Sequence, residues 1–160
     1  MSDPAPQVRI WIAASHHPSF LCGGWAYVRQ AGGAPSGWAG GERQTTAERT
    51  ELAGLAAALA ELPAGAAVEV ATPSARLAGA ARWLAGAAGA DAPQADLDLW
   101  ARIVAAAKGR SVRIVRAQAA AKTPGAFCAA WAELARDKAK MTGAFSAAIP
   151  RPNLAKVEGV

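Results

Sequence analysis

The sequence predicts an α/β domain, a mixed five-stranded sheet flanked by helices, on three observations. Strand-like segments joined by Gly- and Pro-rich turns occupy the first 45 residues and read as an antiparallel meander. A helix with leucines at 52, 55, 59 and 62, three and four residues apart, comes next and presents one apolar stripe. Thereafter short strands alternate with Ala-rich helical stretches, and a strand–helix–strand order implies a right-handed crossover that sets the later strands parallel to the first. A chain of 160 residues suits one domain with a real core.

In order, residues 1–7 read as a loose leader, residues 8–141 as the domain and residues 142–160 as a flexible tail. Val8–Ala14 alternates as a strand with Val8, Ile10 and Ile12 on one face, and Ser15–Gly24 reads as a loop. Trp25–Gln30 and Trp38–Thr45 form a hairpin around A-G-G-A-P-S-G. Thr45 or Thr46 caps a helix over Ala47–Leu62, which Pro63 and Gly65 end. Ala67–Thr72 is the fourth strand, and Pro73-Ser74 opens a helix to about Ala88. Asp96 is read as the cap of a third helix, Leu97–Lys108, with Leu97, Trp100, Val104 and Ala107 on one face. Ser111–Arg116 is the fifth strand. Pro124 sits at the start of a last helix, where its missing N–H costs nothing, with Phe127, Trp131, Leu134 and Met141 as the expected buried stripe.

Charge is unevenly spread. Residues 1–98 carry a net −3 and residues 99–160 a net +8, so the last third offers a basic surface suited to nucleic acid. No apolar run is long enough to cross a bilayer, which excludes a membrane-spanning role. The N-terminus lacks the basic region of a signal peptide, and a cytoplasmic location is expected. Cys22 and Cys128 are too few for a disulfide scaffold and too far apart for a metal knuckle, so two buried free thiols are expected.

Several strings, in order, resemble ribonuclease H of the bacterial type over about Val8–Lys140. Ile12–Ser15, I-A-A-S, stands where the family has T-D-G-S, and Thr45–Leu52 is similar to its T-x-N-x-x-x-E-L. Ala71-Thr72-Pro73-Ser74 corresponds to S-T-D-S, and Asp98-Leu99-Trp100 to D-L-W. Val115–Ala119 is similar to V-K-G-H-A, and Ala132-Glu133-Leu134-Ala135 to D-E-L-A. The resemblance implies a ribonuclease H-like fold.

Nucleases of this family gather carboxylates around two divalent cations that activate water and stabilise the leaving oxygen. Position by position, this chain has Ala13, Pro73 and Ala132 where the family has Asp, and Gln118 where it has His; Glu51 alone keeps its carboxylate. Magnesium needs oxygen ligands, so its binding is expected to be lost and no cofactor is expected. The resemblance thus implies a non-enzyme that acts by binding, with RNA–DNA hybrid or duplex as first partner. Ser15, Thr46, Arg113, Arg116 and Lys122 are the candidate contacts. Two other readings stay open: a protein-interaction or scaffold module, as a homodimer or with another protein, and a residual or altered metal-dependent nuclease. The family's basic protrusion between the second and third helices is replaced here by A-G-A-A-G-A-D-A-P-Q.

Overall fold

Each face of the central sheet is covered by helices, and the alternation of the first strand shows why. The computed structural model describes residues 4–160, so part of the expected leader lies outside the described residues. The first strand, β1 (Gln7–His17), sends Val8, Ile10 and Ile12 to one side and Trp11 and Ala13 to the other. Both sides are buried, so the strand needs apolar residues on two faces.

β2 (Cys22–Gln30) and β3 (Ser36–Glu42) continue the meander antiparallel, while β4 (Ala67–Thr72) and β5 (Ser111–Arg116) add on the other side, parallel to β1. The expected loop at Ser15–Gly24 is mostly strand. β1 and β2 run on to a tight turn at residues 18–21, closed by Leu21 in the left-handed region at φ 51°.

Among the described residues the sheet has six strands, not five. Phe145–Ala148 forms β6, antiparallel to β3, giving the order β5-β4-β1-β2-β3-β6. The stretch expected to be a flexible tail therefore supplies an edge strand, followed by a short helix at Arg151–Leu154. Ile149 and Leu154 are buried, which is the physical reason the segment is ordered.

Helices α1 (Ala47–Leu59), α2 (Ala75–Leu84) and α3 (Leu97–Ala107) lie on the Val8/Ile10/Ile12 side. All four stripe leucines are buried there, with Leu55 and Leu59 almost wholly sealed. Thr46 and Ser74 cap α1 and α2 by accepting the N–H groups of Arg49 and Leu77. Asp96 does not cap α3. It sits at φ 54° with no side-chain cap, and its carboxylate accepts from Arg49 at 3.2 Å instead. The buried face of α3 is Leu99, Trp100 and Ile103, whereas Leu97 and Val104 are exposed.

On the opposite side lies α4 (Pro124–Thr142), whose buried stripe is Cys128, Ala132, Ala135 and Ala139. Leu134 and Met141, expected inside, are exposed. The sheet beneath α4 explains the change. Ala13, Ala26 and Ala39 lie side by side across β1, β2 and β3, with Gly24 and Gly41 beyond them. Such a smooth face lets the helix backbone come close, and small side chains then fill the gap better than large ones. Both cysteines are buried and unpaired; burial pushes the Cys128 thiol up to about 12, so it stays protonated. Among the described residues no helix is long and apolar enough to cross a membrane.

Candidate functional site

Parallel strands β1 and β4 end on the same edge of the sheet, and the connections that follow them turn over it. There Ala13, Glu51 and Pro73 line one small pocket of about 170 Å³ with Ile12, Ala14 and Thr72. Pro73 is also part of an adjoining open groove of about 530 Å³ with Arg116, Gln118 and Ala119. The chain thus brings together four of the sequence-derived positions, 13, 51, 73 and 118, with Arg116 beside them. Ala132 is close by on α4 but fully buried in the opposite layer with Ala13.

Local geometry fixes these positions firmly. The Thr72 hydroxyl accepts the Ser74 N–H at 3.1 Å, and the Thr72 carbonyl accepts the Ala117 N–H at 2.8 Å. Those bonds fold the chain tightly around Pro73, whose ring needs no N–H partner. On α1, the Thr50 hydroxyl bonds back to the Thr46 carbonyl at 2.7 Å, and the buried Thr45 hydroxyl donates to Glu42 at 3.0 Å.

Glu51 is not free in its pocket. Arg76 of α2 donates to both of its carboxylate oxygens at 3.2 Å and reaches Glu48 at 2.9 Å. Hydrogen bonding to Glu51 is the main reason the Arg76 guanidinium titrates higher than usual. Ala13, Pro73 and Ala132 offer no side-chain oxygen to a divalent cation, and both Glu51 oxygens accept from Arg76. Among the described residues no three His, Cys, Asp or Glu side chains come together to hold a metal ion.

The remaining candidates divide. Ser15 accepts from Arg136 of α4 at 3.0 Å, so its hydroxyl already faces a cation. Thr46 is exposed at the start of α1, where N–H groups and the helix dipole favour an anion. Lys122 is exposed in the loop before α4. Arg113 stands apart, paired with Glu69 at 3.4 Å in a groove near Gln7 and Arg9 at the other end of the strands.

Two arginines at this end, Arg49 and Arg76, escaped the sequence reading, while Arg136 belongs to the basic last third. Arg76 holds Glu51; Arg136 reaches Ser15; Arg49 joins Glu42, Asp96 and Asp98 in one cluster. A signal existed for Arg76: it lies in the first turn of α2, the end of a helix dipole that disfavours a cation, so some other group must hold it there.

The Arg49 cluster gives a pH prediction. Its hydrogen bonds hold the Asp98 carboxyl down at about 2. The folded value is depressed, so this contribution is complete above about pH 4 and is lost as pH falls toward the folded value. Urea unfolding midpoints measured from about pH 5 down to about pH 2 should fall more steeply for the unaltered chain than for Arg49→Gln. Parallel curves would show that the cluster adds nothing.

Between α1, α2 and α3 a second pocket of about 530 Å³ is floored by Leu52, Leu77, Trp83 and Trp100, and Glu51 lies on the wall it shares with the small pocket. Trp83 is half-buried edge-on against Trp100 at 5.5 Å. The Gly- and Ala-rich segment between α2 and α3 forms the rim of this pocket.

Comparison with known proteins bears on this site. No family model matches the chain. A protein named Ribonuclease H from Acidiphilium cryptum is 38% identical over 119 residues, covering 69% of this chain and 74% of that protein. One of the same name from Gluconobacter oxydans is 35% identical over 120 residues, covering 69% and 79%. Among solved structures, LC9-RNase H1, a type 1 RNase H with the type 2 active-site motif, matches 98% of this chain and 83% of its own at a TM-score of 0.67 and 19% identity. LC11-RNase H1 in complex with RNA/DNA hybrid matches 82% and 98% at a TM-score of 0.64 and 18% identity. The two structures share the fold. The two sequence relatives correct the expectation of a non-enzyme, because both carry the name of an enzyme and align over most of the chain.

Proposed function

Because this chain belongs to the ribonuclease H family, we propose that it acts on RNA–DNA hybrid at the edge where β1 and β4 end. The observation that carries this reading is the convergence there of Glu51, Ala13, Pro73, Arg116 and Gln118, with a groove running outward from Pro73 past Arg116. Arg116 and Lys122 supply charge to phosphate, Thr46 supplies a hydroxyl at a helix N-terminus, and Ser15 acts through its bonded Arg136. Arg113, tied to Glu69 elsewhere, is left out of the interface.

We infer that the family's pair of magnesium ions is not held by positions 13, 51, 73 and 132, since one carboxylate cannot supply the oxygens that two ions need. Arg116 and Lys122 neutralise phosphate, while the tight turn at Pro73 sets the depth of the groove. The place of action is the cytoplasm, with the nucleic-acid substrate.

The test pairs binding with turnover. Fluorescence anisotropy should show an RNA–DNA hybrid bound with an affinity that falls steeply between about 50 and 200 mM salt, with about 0.9 lost from the logarithmic slope when one phosphate contact is removed by Arg116→Gln. Hybrid cleavage is followed in the same mixtures with magnesium, with manganese and with chelator. No binding and no cleavage at low salt and high protein concentration would refute the reading.

A further inference from the structure

Glu51 is paired with a cation from a neighbouring helix. The Arg76 guanidinium crosses from α2 to α1 and takes both Glu51 oxygens, with Nε to Oε2 and Nη2 to Oε1 each at 3.2 Å. Its Nη1 donates to Glu48 at 2.9 Å, so a single cation bridges two carboxylates one helical turn apart. Three of its five N–H donors are used in this way and two are left. The exposure is graded: the Glu51 side chain is 18% exposed and the Arg76 side chain above it 52%. A carboxylate below, a cation over it and open solvent beyond is the order in which a bound ion is presented to a phosphate.

We propose that Arg76 is the resident cation of this site. Its single positive charge offsets one of the two negative charges of Glu51 and Glu48, and its remaining N–H groups are offered to a phosphate oxygen. Phosphate engagement at this edge therefore needs no divalent metal. The arrangement is also competitive. An ion ligated by one or two carboxylates is ordinary magnesium or manganese chemistry, so the Glu48–Glu51 pair is denied to such an ion chiefly by the guanidinium already on it.

The phosphate half of this proposal rests on the hybrid reading above, and the metal half does not. Manganese binding is measured by calorimetry on the unaltered chain, on Arg76→Gln, on Arg82→Gln as a control with the same loss of charge, and on the Glu48→Gln/Glu51→Gln/Arg76→Gln triple variant. Arg76→Gln should bind manganese at least about tenfold more tightly than the unaltered chain and Arg82→Gln, and the triple variant should lose that gain. Equal affinity in the unaltered chain and Arg76→Gln, including no binding to either, overturns the proposal. In hybrid-binding titrations the unaltered chain should have the same affinity with chelator as with magnesium, whereas Arg76→Gln should lower the logarithmic salt slope by about one. A chelator-sensitive affinity in the unaltered chain also overturns it. Absence of hybrid binding in every variant refutes the functional reading and leaves the manganese comparison to decide the role of Arg76.

Discussion

Deleting residues 144–160 should cost the domain about 3 to 6 kcal/mol, from the loss of two buried aliphatic side chains at about 1.5 to 3 kcal/mol each. Ile149 and Leu154 are those side chains; they pack in the α4 layer with Val28 and Ala39. The deletion also removes the pairing of β6 with β3, the Trp38 Nε1 bond to the Ser146 hydroxyl at 2.7 Å, and the Ile149 N–H bond to the Gly37 carbonyl at 3.0 Å. Against a typical stability of about 5 to 15 kcal/mol, that loss removes between about a fifth of the stability and all of it. The exposed β3 would moreover present an unpaired edge with Trp38 on it, a template for association. Urea unfolding followed by tryptophan fluorescence measures the first effect, and light scattering the second. A shorter deletion, of residues 158–160, should leave the midpoint nearly unchanged. A midpoint equal to that of the full chain after the long deletion would return the segment to the status of a tail.

That segment shows where the sequence is a poor guide. F-S-A-A lacks β-branched residues and alternation, and it lies between Gly143 and Pro150. Its strand character comes from the free edge of β3, a tertiary cause invisible in the local pattern. Punctuation was far more legible. Thr46, Ser74, Pro124 and Gly109 mark helix starts and a stop where the structure has them, because capping chemistry is local. The α4 face was misread for the opposite reason. Phe127 and Trp131 do pack against the core from its margin, but choosing Leu134 and Met141 assumes that large apolar residues go inside, and a sheet paved with Gly and Ala reverses that preference. At the functional edge, Pro73 and Gln118 were legible only through resemblance to a family, whereas Glu51, four residues before Leu55, stands out from helix spacing as a carboxylate bordering the apolar stripe. The pairings of the arginines at 49, 76 and 136 were not legible, since each is made with carboxylates or hydroxyls on other elements whose nearness depends on the whole fold.

The same paved face makes Gly24→Ala the point substitution with the largest expected effect on stability. A Cβ on Gly24 would overlap the Arg136 backbone nitrogen and the Ala132 carbonyl oxygen and would lie 2.7 Å from the Ala135 carbonyl carbon. All three are backbone atoms of α4, so no side chain can turn aside to make room. The helix must lift off β2, and with it the buried contacts of Cys128, Ala132, Ala135 and Ala139 loosen together. Overpacking a tight interface typically costs about 1 to 3 kcal/mol, and the rigidity of these neighbours puts this case at or above about 3 kcal/mol. Gly33→Ala is the matched control. It has nothing within 4 Å of the added carbon, so its effect should stay within about 0.5 kcal/mol. Function should follow stability here, because Gly24 pairs directly with Ser15, whose hydroxyl is held by Arg136 on the displaced stretch of helix. Hybrid affinity measured well below the unfolding midpoint should therefore fall for Gly24→Ala and not for Gly33→Ala. Unchanged midpoints for both variants would mean that α4 is free to move, and that the close approach of helix to sheet does not hold this edge in shape.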